Sequence, residues 1–428
     1  LEKFFHLKEN NTSLKKEVLA GTVSFFTIVY IVVVNASILS DAGIPLEAGI
    51  IATVLTSIVG CLIMGLFANA PIILVPGMGV NALFTYTIVL GMGLSWQEGL
   101  AVVFVSGLLF TVIAFTKLAT IISESIPHSL KEAITVGIGL FLTFIGLQKG
   151  GIVVLNEETF VSLGNFSDQT VVLTCISLII TIALFARQVP GNFLISILLG
   201  TVIAGLCGKL SIDSLSQSAS VIYPYKDVLA AMSFDRIADL TFWTATFSLT
   251  LVIVFENIGL VFGQVHMFNR PEVYKRAMQA NALSTITSGL FGSSPTVSTV
   301  ETAAGITAGG RTGLTSIITG ILFLSSLCFL PFIKIIPDSA IAPILILIGS
   351  LMIQNIQHID LSDFSESFPA FLIIALIPFT YSIVDGMAFG FIMYPLIKLL
   401  LKRKNEVKLP LYFIALLFLM NFVFHTLH

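Results

Sequence analysis

Charge is scarce in this chain. Only 11% of its 428 residues are Asp, Glu, Lys or Arg, against the ~25% of an ordinary soluble domain. With 56% apolar residues and a mean hydropathy of +1.00, a folded surface would be too apolar to stay dispersed in water, which excludes a soluble globular protein. Neither sign of charge dominates: the net charge is -3 and the pI about 6.1, so nucleic acid is not an expected partner. Cysteine and histidine are thin as well. The 4 Cys (Cys61, Cys175, Cys207, Cys328) lie in apolar blocks without a C-x-x-C pair and read as small core residues rather than a disulfide framework or metal site. The 6 His show no ligand spacing, and H-E-x-x-H, G-x-S-x-G and paired intramembrane Asp are all missing. An intramembrane enzyme would lack its machinery, and no catalytic residue, metal or cofactor is expected.

What the chain has is long apolar runs, several of them of the roughly 18–25 residues needed to cross ~30 Å of hydrocarbon as a helix. Runs between turn signals place helices at 18–39, 47–68, 72–92, 97–115, 131–148, 169–187 and 191–207. A polar stretch follows, then further helices at 239–265, 273–291, 295–308, 312–333, 339–355, 366–384 and 386–401. The expected class is an all-α polytopic membrane protein. Its organisation reads as a first seven-helix repeat (1–207), an external connection (208–237), a second seven-helix repeat (238–401), and a basic tail with a terminal apolar helix (402–428). The run at 410–427 reads equally as a further span or an interfacial helix. The first block is too long for a signal-peptide core and is taken as a span; the start at Leu1 implies an initiator Met trimmed or lying upstream.

Basic residues orient the spans. A cytoplasmic N-terminus, suggested by Lys3, Lys8, Lys15 and Lys16, puts Lys117, Lys131, Arg187, Arg270, Lys275, Arg276, Arg311 and the run Lys402, Arg403, Lys404, Lys408 on the same side. Glu157, Glu158 and Asp168 fall outside, as the Lys/Arg bias of cytoplasmic loops requires. Lys209, Lys226 and Arg236 are exceptions in a long external connection, where the bias is weak. The expected location is the cell (inner) membrane.

Two spans are irregular in corresponding places. The third begins Pro71-Ile-Ile-Leu-Val-Pro76-Gly77-Met78-Gly79-Val80-Asn81, and the tenth Gly292-Ser-Ser-Pro295-Thr-Val-Ser-Thr-Val300-Glu301. Each sets Pro and Gly ahead of a short helix of small residues, third among its seven. Paired interrupted segments of this kind are the sequence signature of an inverted-repeat transporter with a midplane site, so both helices are expected to be discontinuous. Ordinary Pro/Gly kinking is the plainer alternative.

Two acids sit deep in apolar sequence: Glu256, in the eighth span, and Glu301, on the short tenth helix. Neither has a Lys or Arg within a helical turn. Intramembrane carboxyls are costly, about 2.5–3.5 kcal/mol on insertion scales, and default to a functional role. A desolvated, unpaired carboxyl favours its neutral form, which makes each a candidate proton carrier; the alternative is a protonated Glu serving as packing glue. Asn81 offers an amide donor and acceptor at a half-helix start, for a ligand or as a local cap. Phe25, Phe84 and Phe255 are candidate stacking rings, though with 35 Phe in the chain any one of them is more simply core or lipid-facing. Asp385, at a helix end, reads as an N-cap.

These segments resemble the AzgA-like hypoxanthine/guanine permeases, a branch of the nucleobase:cation symporter-2 (xanthine/uracil permease) family. The resemblance runs through most of the chain and is carried by Phe26-Thr-Ile-Val-Tyr30-Ile31 through Asn35, Leu39 to Gly43, Pro76-Gly-Met-Gly-Val-Asn81-Ala82, Gly91 to Trp96, Val300-Glu301-Thr-Ala-Ala-Gly305 and Asp385 to Gly390. It implies two inverted seven-helix repeats. A core domain (spans 1–4 and 8–11) would hold the substrate against a gate domain (5–7 and 12–14), often in a homodimer, with elevator-type transport coupled to a cation. The proton is the expected ion and sodium the alternative. Glu256, Glu301 and Asn81 match the family's site positions, and Thr299, Val300 and Thr302 flank the second acid. The branch commonly has Asp and Thr where this chain has Glu256 and Asn257, and often Tyr where it has Thr299, which bears on base preference.

Two carboxyl acceptors suit guanine, whose N1–H and N2–H form a donor edge, and hypoxanthine, with N1–H alone; adenine lacks a proton on N1. The expected function is therefore proton-coupled import of hypoxanthine and guanine across the bilayer. Another nucleobase (adenine, xanthine or uracil) carried by the same fold is the alternative. Further alternatives are an anion carrier, which would be expected to place a cation or bare helix N-termini at the midplane, and a channel, over which paired discontinuous helices favour alternating access.

Overall fold

The computed structural model describes residues 2–210 and 225–427, so the part of the expected external connection at 211–224 lies outside the described residues. Long apolar stretches free of helix breakers form the spans: α1 (Leu14–Asp41), α2 (Leu46–Ala68), α4 (Trp96–Phe115), α5 (His128–Lys149), α6 (Gln169–Ala186), α8 (Leu240–Met267), α11 (Gly313–Ile333), α12 (Asp338–His358) and α14 (Ile383–Leu400). Among the described residues these nine are long and apolar enough to cross a membrane. Shorter or more polar helices supply the other expected segments: α3 (Met78–Gly91), α7 (Asn192–Leu206), α9 (Tyr274–Phe291), α10 (Thr302–Thr307) and α13 (Phe364–Thr380). The terminal run forms one helix, α15 (Leu409–Leu427).

Local chemistry sets several boundaries. A reciprocal cap opens α4, where the Glu98 backbone N–H donates to Ser95 Oγ at 3.3 Å and the Ser95 N–H donates to Glu98 Oε2 at 2.7 Å. The N-cap of α14 is Ser382, which accepts from the Asp385 N–H at 3.2 Å. Asp385 thus stands in the first turn, not at the cap expected of it. The junction between α13 and α14 falls at Tyr381, whose φ of 58° ends the first helix, and so lies earlier than the hydropathy pattern suggested. The wholly helical expectation also misses two short antiparallel ribbons, β1 (Leu74–Pro76) with β4 (Thr296–Ser298), and β2 (Val153–Asn156) with β3 (Phe160–Leu163).

The most extensive packing sorts the spans into two groups. One contains α1, α2, α4, α8, α9 and α11; the other contains α5, α6, α7, α12, α13 and α14. Buried polar side chains hold the first together. Glu17 is fully buried at the start of α1, and its carboxylate accepts from the Thr315 N–H (3.1 Å), the Thr315 hydroxyl (2.6 Å) and the Arg311 N–H (3.0 Å). It neutralises free donors at the N-terminus of α11. At the far end of α14, Lys398 is buried between Glu366 and Glu406, each at 2.8 Å. Arg403 reaches Asp363 at 2.7 Å. Hydrogen bonds from Ser365, then from Arg403, hold the Asp363 carboxyl down at about 2. Of the four cysteines only Cys61 is buried; Cys207 and Cys328 are exposed, a correction to their reading as core, because Cys207 lies just past the end of α7 and Cys328 in a 3-10 turn of α11 that buries none of its residues.

Candidate functional site

Extended backbone inside an apolar bundle must have every N–H and C=O satisfied. The ribbon answers part of that demand. Leu74 pairs with Ser298, Val75 with Val297 and Pro76 with Thr296. The approach is so close that a β-carbon on Gly77 would lie 2.3 Å from Val297 Cγ2, which requires glycine there. Side chains satisfy further groups: Thr302 Oγ1 accepts from the Ile73 N–H at 3.2 Å, Ser288 Oγ from the Thr296 N–H at 3.0 Å, and Asn257 Oδ1 from the Ser298 N–H at 2.9 Å. α3 and α10 leave this ribbon at opposite ends, so the breaks read in the third and tenth segments meet at one place in the fold.

α8 is tied to the ribbon twice. Asn257 also accepts from the Asn281 amide of α9 and donates to the Ile253 carbonyl at 2.8 Å. Two turns on, Gln264 donates to the Thr299 carbonyl at 2.7 Å and accepts from the Ser298 hydroxyl at 2.5 Å. Glu256 precedes Asn257 and Glu301 follows Ser298 by three residues, so both acids ride on one hydrogen-bonded unit.

Their surroundings differ. The half-buried Glu301 stands at the N-cap position of α10 without capping it; its Oε1 accepts from the Tyr30 hydroxyl at 2.5 Å. Glu256 is also only half-buried, and among the described residues its carboxyl has no hydrogen-bond or ion-pair partner. Gly259 and Gly263, at i+3 and i+7, share its helix face, and among the described residues nothing beyond the helix's own backbone and their chain neighbours lies within 4 Å of where their β-carbons would be. Glu256 therefore belongs to an open stripe of α8. Val300, 63% exposed, stands beside Glu301 and is equally uncovered.

Asn81 is fully buried with neither amide atom hydrogen-bonded. The cap position of α3 belongs to Gly77, so Asn81 does not have the capping role open to it. An unpaired buried amide costs about 1–3 kcal/mol, which marks it as a group awaiting a partner. The Thr299 hydroxyl is likewise buried and unpaired, whereas Thr302 is committed to Ile73. The three candidate rings serve packing in this structure. Phe25 lies edge-on to Phe26 and Phe323, at 5.4 and 5.6 Å; Phe84 is fully buried, with its edge where a side chain on Gly99 would sit. Phe255 lies under the Lys131 ammonium at 6.0 Å. Among the described residues no group of three or more His, Cys, Asp or Glu could hold a metal.

Tyr30, Gln264, Asn281 and the hub role of Asn257 were missed by sequence reasoning. The available signal was the amide and hydroxyl groups interrupting apolar spans, which are expensive to bury unpaired.

A family model described as a permease family, the xanthine/uracil permeases, matches residues 15–389. The chain is 52% identical to the nucleobase transporter PlAzg2 of Paenibacillus larvae, over 89% of this chain and 77% of that protein. It is 36% identical to the guanine/hypoxanthine permease PbuO of Bacillus subtilis, over 98% of this chain and all of the relative. It is 34% identical to the adenine permease AdeP of Escherichia coli, over 100% and 97%. Among solved structures, the transmembrane domain of a cyanobacterial bicarbonate transporter, BicA, superposes with a TM-score of 0.64 at 15% identity, covering 88% of this chain and 97% of that one. SLC26A9 gives 0.67 at 12%, covering 91% and 66%. At such identities the structures speak to the fold alone.

Proposed function

The chain belongs to the xanthine/uracil permease family, a family of multi-pass membrane transporters rather than enzymes, and from that premise we propose that it imports hypoxanthine and guanine by proton symport. The observation that carries this reading is the pair of differently engaged carboxyls beside the ribbon. Among the described residues Glu256 has its whole carboxyl uncommitted, and Glu301 shares one oxygen with Tyr30. Together they form an acceptor-rich site for the N1–H and N2–H edge of an oxopurine, and Asn81 adds an uncommitted amide for the base's carbonyl or ring nitrogens. A carboxyl that alternates between charged and neutral forms inside a membrane is a means of carrying a proton with the cargo, and no further cofactor is needed.

In this reading the two packing groups act as core and gate. The core, with α3, α10 and both acids, moves relative to the gate in an elevator-type cycle, within two inverted seven-helix repeats and a homodimeric assembly. The antiparallel ribbon supports the repeat relation, since each half contributes one broken segment to it. The N-terminus is cytoplasmic and the membrane is the inner cell membrane, following the Lys/Arg distribution.

Adenine is the second reading, favoured by the 34% identity to an adenine permease over the whole chain. A neutral Glu256 could donate to adenine's unprotonated N1. The deciding experiment is uptake of labelled hypoxanthine into proteoliposomes under an inward proton gradient, with guanine, adenine, xanthine and uracil as competitors. Gradient-dependent uptake blocked by guanine and abolished by a protonophore is the expected result. Uptake blocked by adenine alone, or indifferent to the gradient, overturns the substrate or the coupling.

A further inference from the structure

We infer that Tyr30 is a positioning residue for Glu301: its phenol anchors Oε1 and so sets the direction in which the Glu301 carboxyl meets the cargo. The inference rests on the proposed role of Glu301 and adds how that acid is aimed. Tyr30 is 1% exposed and stands where α1 breaks between the segments Leu14–Ile28 and Ile31–Asp41. The break turns the side chain across the bundle to α10, 271 residues away in sequence. The phenol has one proton to donate. At 2.5 Å the contact has the length of a hydrogen bond to a charged acceptor, and that proton is spent on Glu301.

The ring cannot readily swing away. Phe193 of α7 meets it edge-on, with centroids 4.9 Å apart, and Phe193 is itself stacked on Phe185 at 6.2 Å. Among the described residues Glu301 makes no other hydrogen bond with its side chain, so without Tyr30 its carboxyl would be free to turn about its terminal torsions. Held by Tyr30, the Glu301 carboxyl offers the cargo its remaining acceptor sites in one fixed orientation.

Tyr30→Phe keeps the ring and removes the donor. With whichever nucleobase the wild type carries, KM is expected to rise roughly tenfold, the scale of a lost hydrogen bond to a charged group, with Vmax little changed. An unchanged KM with a reduced Vmax overturns the positioning role. Infrared spectroscopy of the purified protein supplies a reading that needs no cargo. The carboxyl band that Glu301→Gln removes is expected to shift in Tyr30→Phe, and an unmoved band overturns the inference. Because that measurement is independent of substrate, a wild type that carries a different base, or none, refutes the proposed function while Tyr30 is still tested. Incorporating 3-fluorotyrosine into the otherwise unaltered chain makes the phenol a stronger donor and gives the same test if Tyr30→Phe does not fold: the Glu301 band moves, or the inference fails.

Discussion

α8 around Glu256 and the ribbon end around Glu301 each carry an acid into the membrane, but they treat it in opposite ways. Glu301 sits in a web of fixed contacts: Tyr30 on its carboxyl, Gln264 on the preceding backbone and hydroxyl, and Thr302 clamped to Ile73. Among the described residues Glu256 has no partner, and it shares its helix face with Gly259 and Gly263, whose β-carbon positions are open. Its neighbour Asn257 is the reverse, fully buried and making three hydrogen bonds. In the proposed function, adjacent residues along a single helix thus divide the work: Asn257 builds the site, and Glu256 is left to use it. A polar group held on all sides contributes rigidity, whereas one left unpaired at an opening retains its hydrogen-bonding capacity for a guest.

The sharpest way to break this comparison is Glu301→Gln, which is expected to abolish gradient-driven accumulation in proteoliposomes while the protein stays folded; near-normal accumulation would show that the fixed acid is scaffolding. Asn257→Ala comes next. It strands the Ser298 N–H and the Asn281 amide, at about 1–3 kcal/mol each, so thermal unfolding in detergent should shift clearly downward. Glu256→Gln, one residue away, should leave the unfolding temperature nearly unmoved, and equal shifts for the two would erase the distinction drawn here.

Glu256→Asp retracts the open carboxyl by one methylene. It is expected to weaken base affinity by roughly tenfold, the value of a charge-assisted hydrogen bond, without affecting stability. An unchanged KM would remove Glu256 from direct contact. The smallest effect belongs far from the site. Arg403→Ala should lower the unfolding temperature only slightly, as the loss of an exposed ion pair does. Asp363 titrates at about 2 in the folded protein, below its ordinary 3.8. The stability it contributes is complete above pH 3.8 and is lost as the pH falls through about 2. Arg403→Ala should shrink that acid-sensitive portion only in part, because the Ser365 hydrogen bonds, the larger cause, remain; an unaltered acid limb in the unfolding curve would show that the ion pair contributes nothing.

The composition and the apolar runs made the class of protein legible, and the Pro/Gly interruptions at Pro71–Gly79 and Gly292–Pro295 marked both irregular segments. Hydropathy is a local property, so it located spans to within a few residues but misplaced the junction at Tyr381, where a backbone conformation decides. The two acids stood out because charge in a long apolar run has few innocent explanations. Tyr30, Gln264 and Asn281 did not, because a hydroxyl or amide in a span becomes meaningful only through the partner it meets.

The sequence alone thus determined that the chain lives in a membrane, where its spans lie, and that Glu256, Glu301 and Asn81 are the polar groups to watch, since each follows from the cost of placing that residue type in hydrocarbon. Only the tertiary structure decided how those groups are used. The pairing of Leu74–Pro76 with Thr296–Ser298 joins residues more than 200 positions apart, and the Tyr30 contact, the Asn257 hub and the open face of α8 exist only once distant spans pack. Burial cost is written residue by residue, but its compensation depends on which neighbours the fold supplies.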